Sequence, residues 1–343
     1  MKNYLEWLSG ETASAWWHDS ADTEELQAAM KAGAVGVTTN PLLVSQVLKK
    51  KRDIISANAD EIKAAKNSDE RVPAIIKAVT VDLAKILLPI FKETEGENGY
   101  VCAQVNPYKA AYADSMIESA IKISGWAENI TVKLPATRAG LEAAEECVAR
   151  GINVTVTVSF TVPQVLAVME RFEKGYARAE KAGKTPRMCN AVLMVGRLDD
   201  YLRDVARDRG ANISEEDIIC AGTAAIKRAY GIFRERGHNK ALKLLPAGMR
   251  GAYHAVDLSG AAMRMSIHPK IQKMILEAGA ERRERIGEPI DKAVLGRLMA
   301  LDEFVRAYEP DGMKEQDFIT YGVTQKTLTS FMDAWDVIAA FEL

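Results

Sequence analysis

Asn153-Val154-Thr155-Val156-Thr157-Val158-Ser159-Phe160-Thr161 alternates apolar side chains with small polar ones. A period of two is the signature of a β-strand with one apolar and one polar face. Polar side chains this small suit the lumen of a closed barrel. Seven more runs of β type accompany Asn153–Phe160: Ala15–Asp19, Val35–Thr39, Tyr100–Val105, Ile130–Leu134, Cys189–Val195, Ala241–Leu245 and Met263–Ile267. Helical patterns separate them, among them Thr23–Ala32, Asp114–Ile123, Leu141–Ala149, Val162–Ala182, Asp199–Asp208 and Lys270–Ala278. Strands alternating with helices make a parallel α/β protein. Eight such repeats without a GxGxxG fingerprint predict a (β/α)8 TIM barrel rather than an open doubly wound sheet.

Two regions exceed the bare barrel. Lys49–Val79 is charged and helical and predicts extra helices after the second strand. Residues 279–343 read as a helical C-terminal extension. No Pro/Gly/Ser linker precedes it, so residues 1–343 are expected to form a single domain. The basic run Lys49-Lys50-Lys51-Arg52 reads as a solvated helix face.

A net charge of −2 gives no reason to expect a nucleic-acid partner. Cys102, Cys147, Cys189 and Cys220 are scattered without CxxC pairing, which fits a reducing compartment. The chain opens Met1-Lys2-Asn3-Tyr4 without an apolar leader, and no run approaches a membrane span. A cytoplasmic protein with no membrane partner is expected. His18, His238, His254 and His268 lack metal-ligand spacing, so no metal is expected.

The chemistry centres on Ile130-Thr131-Val132-Lys133-Leu134-Pro135. A lysine inside an apolar strand is costly unless it has a partner or a task. Burial lowers a lysine pKa toward neutrality and exposes a nucleophilic amine. A lysine that snorkels its head into water is the plain alternative. Lys243, in Ala241–Leu245, is a rival nucleophile on spacing alone.

Barrel enzymes carry their sites at the C-terminal ends of the strands. There the sequence offers Asp19, Thr38-Thr39-Asn40, Gln104, Lys133, Thr155, Thr157, Ser159, Arg197 and Arg250. A lysine imine acts as an electron sink for carbon–carbon cleavage. A carboxylate can take and return the hydroxyl proton. Arginines suit a phosphate. The set therefore reads as a class I aldolase-type site. Each residue also has a plainer role: Asp19 could cap the helix near Thr23, Asn40 could cap the next one, and Arg197 could pair with Asp199 or Asp200.

Several ordered motifs carry a resemblance. Gly36-Val37-Thr38-Thr39-Asn40-Pro41, Ile130–Thr137, Gly151-Ile152-Asn153 with Thr157, Phe160 and Gln164, and Val195-Gly196-Arg197 with Asp199 or Asp200 resemble those of the transaldolase family. The resemblance implies a barrel without cofactor or metal, acting on sugars or sugar phosphates in carbohydrate metabolism through the pentose phosphate pathway. It leaves room for a homo-oligomer. It implies that Lys133 forms the Schiff base and that Asp19 is the general acid/base. Asn40 would hold the dihydroxyacetone unit, with Thr39 and Thr155 beside it. Thr157, with Gln104, would position a water, and Arg197 and Arg250 would hold phosphate.

Gln104 departs from this pattern, standing where transaldolases carry glutamate, as it does in the related fructose-6-phosphate aldolases. Met194 stands where those aldolases use tyrosine. Val192, Thr155 and Gly248 replace a serine, an asparagine and a phosphate-binding serine. The leading reading is a transferase of a three-carbon ketone unit. A lyase, or a barrel that only binds a sugar phosphate, are the alternatives.

Overall fold

The computed structural model describes residues 2–184, 186 and 188–343. The strands are β1 (Ala15–His18), β2 (Ala34–Val37), β3 (Tyr100–Gln104), β4 (Ile130–Pro135), β5 (Val154–Thr157), β6 (Cys189–Leu193), β7 (Leu242–Pro246) and β8 (Arg264–Ile267). They pair in parallel in the order β7-β6-β5-β4-β3-β2-β1-β8. β7 and β8 meet at the seam, so the sheet curls into a nearly closed (β/α)8 barrel.

The strands are shorter than their apolar runs for local reasons. Val158 has φ +54°, a conformation hostile to a β-branched residue, and it ends β5 just after Thr157. Gln164 braces that corner: its Oε1 accepts from Phe160 N at 2.9 Å and its Nε2 donates to Val158 O at 3.2 Å. β6 stops at Leu193 because the next helix, Val195–Arg209, starts almost at once. Gly196 and Arg197 therefore occupy its first turn rather than a strand end, correcting the expected strand to Val195.

Register and level differ inside the barrel. Gln104, Lys133, Thr155, Asn190 and Lys243 are successive ladder partners from β3 to β7. Partners share a face, but tilted strands stagger them along the barrel axis. Thr155 thus lies below the mouth, with its hydroxyl 3.0 Å from Thr131 Oγ1 and accepting from Asn190 Nδ2 at 3.1 Å. Arg264 donates to Asn190 Oδ1 at 3.1 Å and to Glu97 O at 3.0 Å, plugging the lumen floor.

Between β2 and β3 the helix Pro41–Val47 is followed by three more, Arg52–Ser56, Ala59–Ala64 and Ser68–Glu93, as the charged stretch predicts. The C-terminal segment holds Lys292–Leu298, Asp302–Tyr308 and Gly322–Ala339. The last of these packs on the helix Pro41–Val47 after β2 and on the 3-10 turn Pro107–Lys109 after β3. It thereby crosses the C-terminal face of the barrel. Val323, Leu328, Phe331, Trp335 and Ile338 are buried beneath it, and hydrophobic burial holds it there. Arg71 ties its end by donating to Ala339 O at 3.2 Å and Phe341 O at 2.6 Å.

Candidate active site

A cavity of about 320 Å³ opens at the C-terminal ends of the strands. Asp19, Asn40, Lys133, Thr157, Arg197 and Arg250 all line it. Lys133 is 6% exposed, so it does not snorkel into bulk water. Its Nζ donates to Thr39 O at 3.1 Å. Lys243, the rival, points to the other end of the lumen, among Arg264, Glu97 and Lys240, where burial holds its pKa down. It does not line this cavity.

Asp19 follows β1 directly. Its Oδ1 accepts from Thr38 Oγ1 at 2.6 Å, and Thr38 Oγ1 lies 2.6 Å from Ser266 Oγ. With Thr38 donating to the carboxylate, Ser266 donates in turn to Thr38. Asp19 is not the cap of the following helix. Asp22 fills that place, accepting from Glu24 N at 2.8 Å and Glu25 N at 3.1 Å.

Asn40 does cap its helix, accepting from Leu43 N at 3.0 Å, and also faces the cavity. Among the described residues its Nδ2 has no protein hydrogen-bond partner, so that amide is available to a ligand. Thr157 is buried with an unpartnered Oγ1, a group that costs free energy unless something bonds it.

Three expected residues fall elsewhere. Thr39 contributes its backbone carbonyl to Lys133, while its hydroxyl donates to Cys102 O at 2.7 Å, away from the cavity. Thr155 sits in the layer below for the register reason given above. Gln104 lines a neighbouring cavity of about 480 Å³, together with Asn106, Asp69, Lys109, Trp126 and Trp335. Its Oε1 is buried without a protein partner.

The two arginines form a cationic lobe. Arg197 lies 5.7 Å over the Phe331 ring of the C-terminal helix, with Nη1 3.5 Å from Thr327 Oγ1. Burial and the neighbouring Arg250 charge both hold its pKa below the usual arginine value. Its suspected carboxylate partners are engaged elsewhere: Asp200 bonds Arg250 Nε at 2.8 Å and Arg203 Nη1 at 2.9 Å. Gly196 permits the close approach of the two arginine segments, since a Cβ there would lie 2.4 Å from Gly248 O and 2.6 Å from Arg250 Cγ. Among the described residues no cluster of three or more His, Cys, Asp or Glu could hold a metal.

Thr38, Ser266 and His268 also line the cavity; the sequence offers Thr38 at the second strand end and His268 only as a dispersed histidine, while Ser266 is not among its candidates. The alternation in Arg264-Met265-Ser266-Ile267 was the available signal, because Ser266 shares the lumen face with Arg264.

The family model described as transaldolase/fructose-6-phosphate aldolase matches residues 16–341. A transaldolase of Mycobacterium tuberculosis (strain ATCC 25618 / H37Rv) is 33% identical over 210 residues, 59% of this chain and 55% of its own length. Transaldolase 1 of Streptomyces avermitilis is 32% identical over 242 residues, covering 67% of this chain and 64% of that protein. A Thiobacillus denitrificans transaldolase is 28% identical over 227 residues, 64% of this chain and 62% of its own. This chain thus spans between about half and two thirds of the length of these relatives.

Proposed function

The chain belongs to the transaldolase/fructose-6-phosphate aldolase family, and from that premise we propose that it transfers a dihydroxyacetone-type three-carbon unit between sugar phosphates through a Lys133 Schiff base. The carrying observation is one cavity shared by a buried amine, a hydroxyl-held carboxylate and two arginines. Residues 1–343 act as one unit in this reading. The four unpaired cysteines support a reducing cytoplasm as its setting.

Neutral Lys133 Nζ attacks the ketose C2 carbonyl, and the carbinolamine takes up one proton from solvent as it loses water, leaving a cationic iminium that gives this proton back on final hydrolysis. Asp19 takes the proton of the C4 hydroxyl. The C3–C4 bond then breaks, its electron pair flows into the iminium to give an enamine, and an aldehyde leaves. Addition of the enamine to an acceptor aldehyde reverses these steps, with Asp19 returning the proton to the new hydroxyl. Water then hydrolyses the imine. Asn40 Nδ2 holds the three-carbon unit, Thr157 Oγ1 holds the water, and Arg197 with Arg250 bind the phosphate.

Gln104 favours a second reading, a lyase that releases the ketone. Its support is the resemblance, since fructose-6-phosphate aldolases carry glutamine at that place, and Met194, where they use tyrosine, weighs against it. Turnover of a ketose phosphate with and without an added acceptor aldehyde separates the two. Product only with acceptor supports the transferase, and free ketone without acceptor supports the lyase. Retained ligand binding with no turnover, unchanged in Lys133→Met, would leave only a binding barrel.

A further inference from the structure

Two arginines lining one small cavity repel each other, and each needs a fixed backbone to hold its head there. Asp200 and Phe331 secure the guanidinium groups themselves. A separate pair lies behind them. Asp199 and His254 are both completely buried, with His254 Nε2 at hydrogen-bonding distance, 2.9 Å, from Asp199 Oδ2. Neither lines the cavity.

Each is tied onward to the arginine segments. Asp199 is two residues after Arg197 on the same helix, and its Oδ1 accepts from Gly222 N at 2.7 Å. Gly222 is in the first turn of the helix Ala221–Arg236, whose N-terminal end favours a carboxylate. His254 lies in the helix Ala252–Asp257, just past Arg250, and its Nδ1 accepts from Arg250 N at 3.2 Å. An Nδ1 that accepts is unprotonated, so the ring proton sits on Nε2, which lies 2.9 Å from Asp199 Oδ2 without hydrogen-bond alignment, a close polar contact between the two side chains. The chain Gly222 N–H to Asp199 to His254 to Arg250 N–H therefore joins three segments. Burying a carboxylate and an imidazole is costly. Burial pushes the Asp199 pKa up, while His254 and the Gly222 N–H oppose the shift.

We propose that Asp199 and His254 are positioning residues that set the distance between the Arg197 and Arg250 segments, and so set the affinity of the lobe for phosphate. This rests on the reading of that lobe as a phosphate site. Asp199 and His254 touch no substrate in this account and act only through the two arginines.

Calorimetric titration of the full chain with inorganic phosphate tests it, alongside borohydride trapping with unphosphorylated dihydroxyacetone. His254→Leu removes both ends of the link and is expected to weaken phosphate binding about tenfold, the effect of one well-placed interaction. Trapping with dihydroxyacetone should fall by less than about threefold, because the lysine end is untouched. His254→Gln, which can accept from Arg250 N–H and donate to Asp199, should restore phosphate affinity. A folded His254→Leu protein with wild-type phosphate affinity would overturn the proposal. Should that variant not fold, Asp199→Asn replaces it, since an amide there opposes the Nε2 proton, and unchanged affinity would overturn the proposal equally. Wild-type phosphate binding that ignores Arg197→Ala and Arg250→Ala would instead sink the phosphate site itself, and the positioning role with it.

Discussion

Asp19 is oriented by hydroxyl groups rather than by a cation, through the line from Ser266 to Thr38 to the carboxylate. Hydroxyl donors fix its direction while leaving the proton-transfer role open. Asp19→Ala should still form the imine but lose about 10²- to 10⁴-fold in cleavage rate, the usual worth of a positioned general base. Trapping and turnover measured on the same variant check this, and loss of trapping would contradict the assigned role. Thr38→Val should lower kcat by about 10²-fold at most with trapping intact, since it misaims Asp19 without removing it. At this scale the sequence was legible in placing Lys133, Asp19, Asn40, Thr157 and both arginines around one cavity, because polar or charged side chains at or just past the ends of apolar runs stand out. It did not show that the side chains of Thr39, Thr155 and Gln104 lie outside that cavity. Their side of the strand was readable, but their level along the barrel axis depends on stagger between strands, which one strand's alternation does not carry.

Strands and helices were legible as elements and less so at their ends. The eight strands fall where the β-rich runs are, but β5 stops at Thr157 because Val158 turns to positive φ. Apolar composition gives no hint of that turn. The helix Ala221–Arg236 was not singled out, since its Ala- and Gly-rich first turns give little amphipathic contrast. Helix ends also carry testable energetics. Asp22 caps Thr23–Lys31. Burial alone would raise its pKa, but Lys50 and the two backbone N–H groups more than offset this, and the net shift is downward. A lowered folded pKa means stability that is present above the unfolded carboxylate pKa and lost as pH falls through the folded value. Asp22→Ala should cost about 1 kcal/mol near neutral pH, read by denaturant unfolding, with the difference shrinking in acid. An equal loss at acid pH would argue that the carboxylate charge is irrelevant. Gly196→Ala should raise KM for phosphorylated substrates more than for unphosphorylated ones, because its Cβ would press on Gly248 O. Equal effects on both would detach that contact from the anion lobe.

Over the whole molecule, the barrel and the C-terminal extension build the site jointly. Thr327 and Phe331 of the last helix reach Arg197, and Trp335 walls the cavity beside Gln104. Tyr108 Oη donates to Asp336 Oδ2 at 2.7 Å, adding a tie from the β3 side. The sequence reads as a helical tail packed across the barrel but does not show that it lies over the mouth, since long-range docking leaves no local periodicity. Phe331→Ala should therefore weaken phosphorylated substrates by about 1–2 kcal/mol, through the lost cation–π contact, with smaller effect on unphosphorylated ones. Steady-state KM values for matched substrate pairs decide it.

The central claim is that Lys133, alone of the two lumen lysines, becomes covalently bound to substrate. Borohydride reduction in the presence of a panel of ketoses and small ketones, followed by peptide mass mapping, tests it directly. A reduced adduct on Lys133, with the mass of a three-carbon ketone unit from a ketose phosphate, is the predicted result. An adduct on Lys243, or none with any ketose, would contradict it.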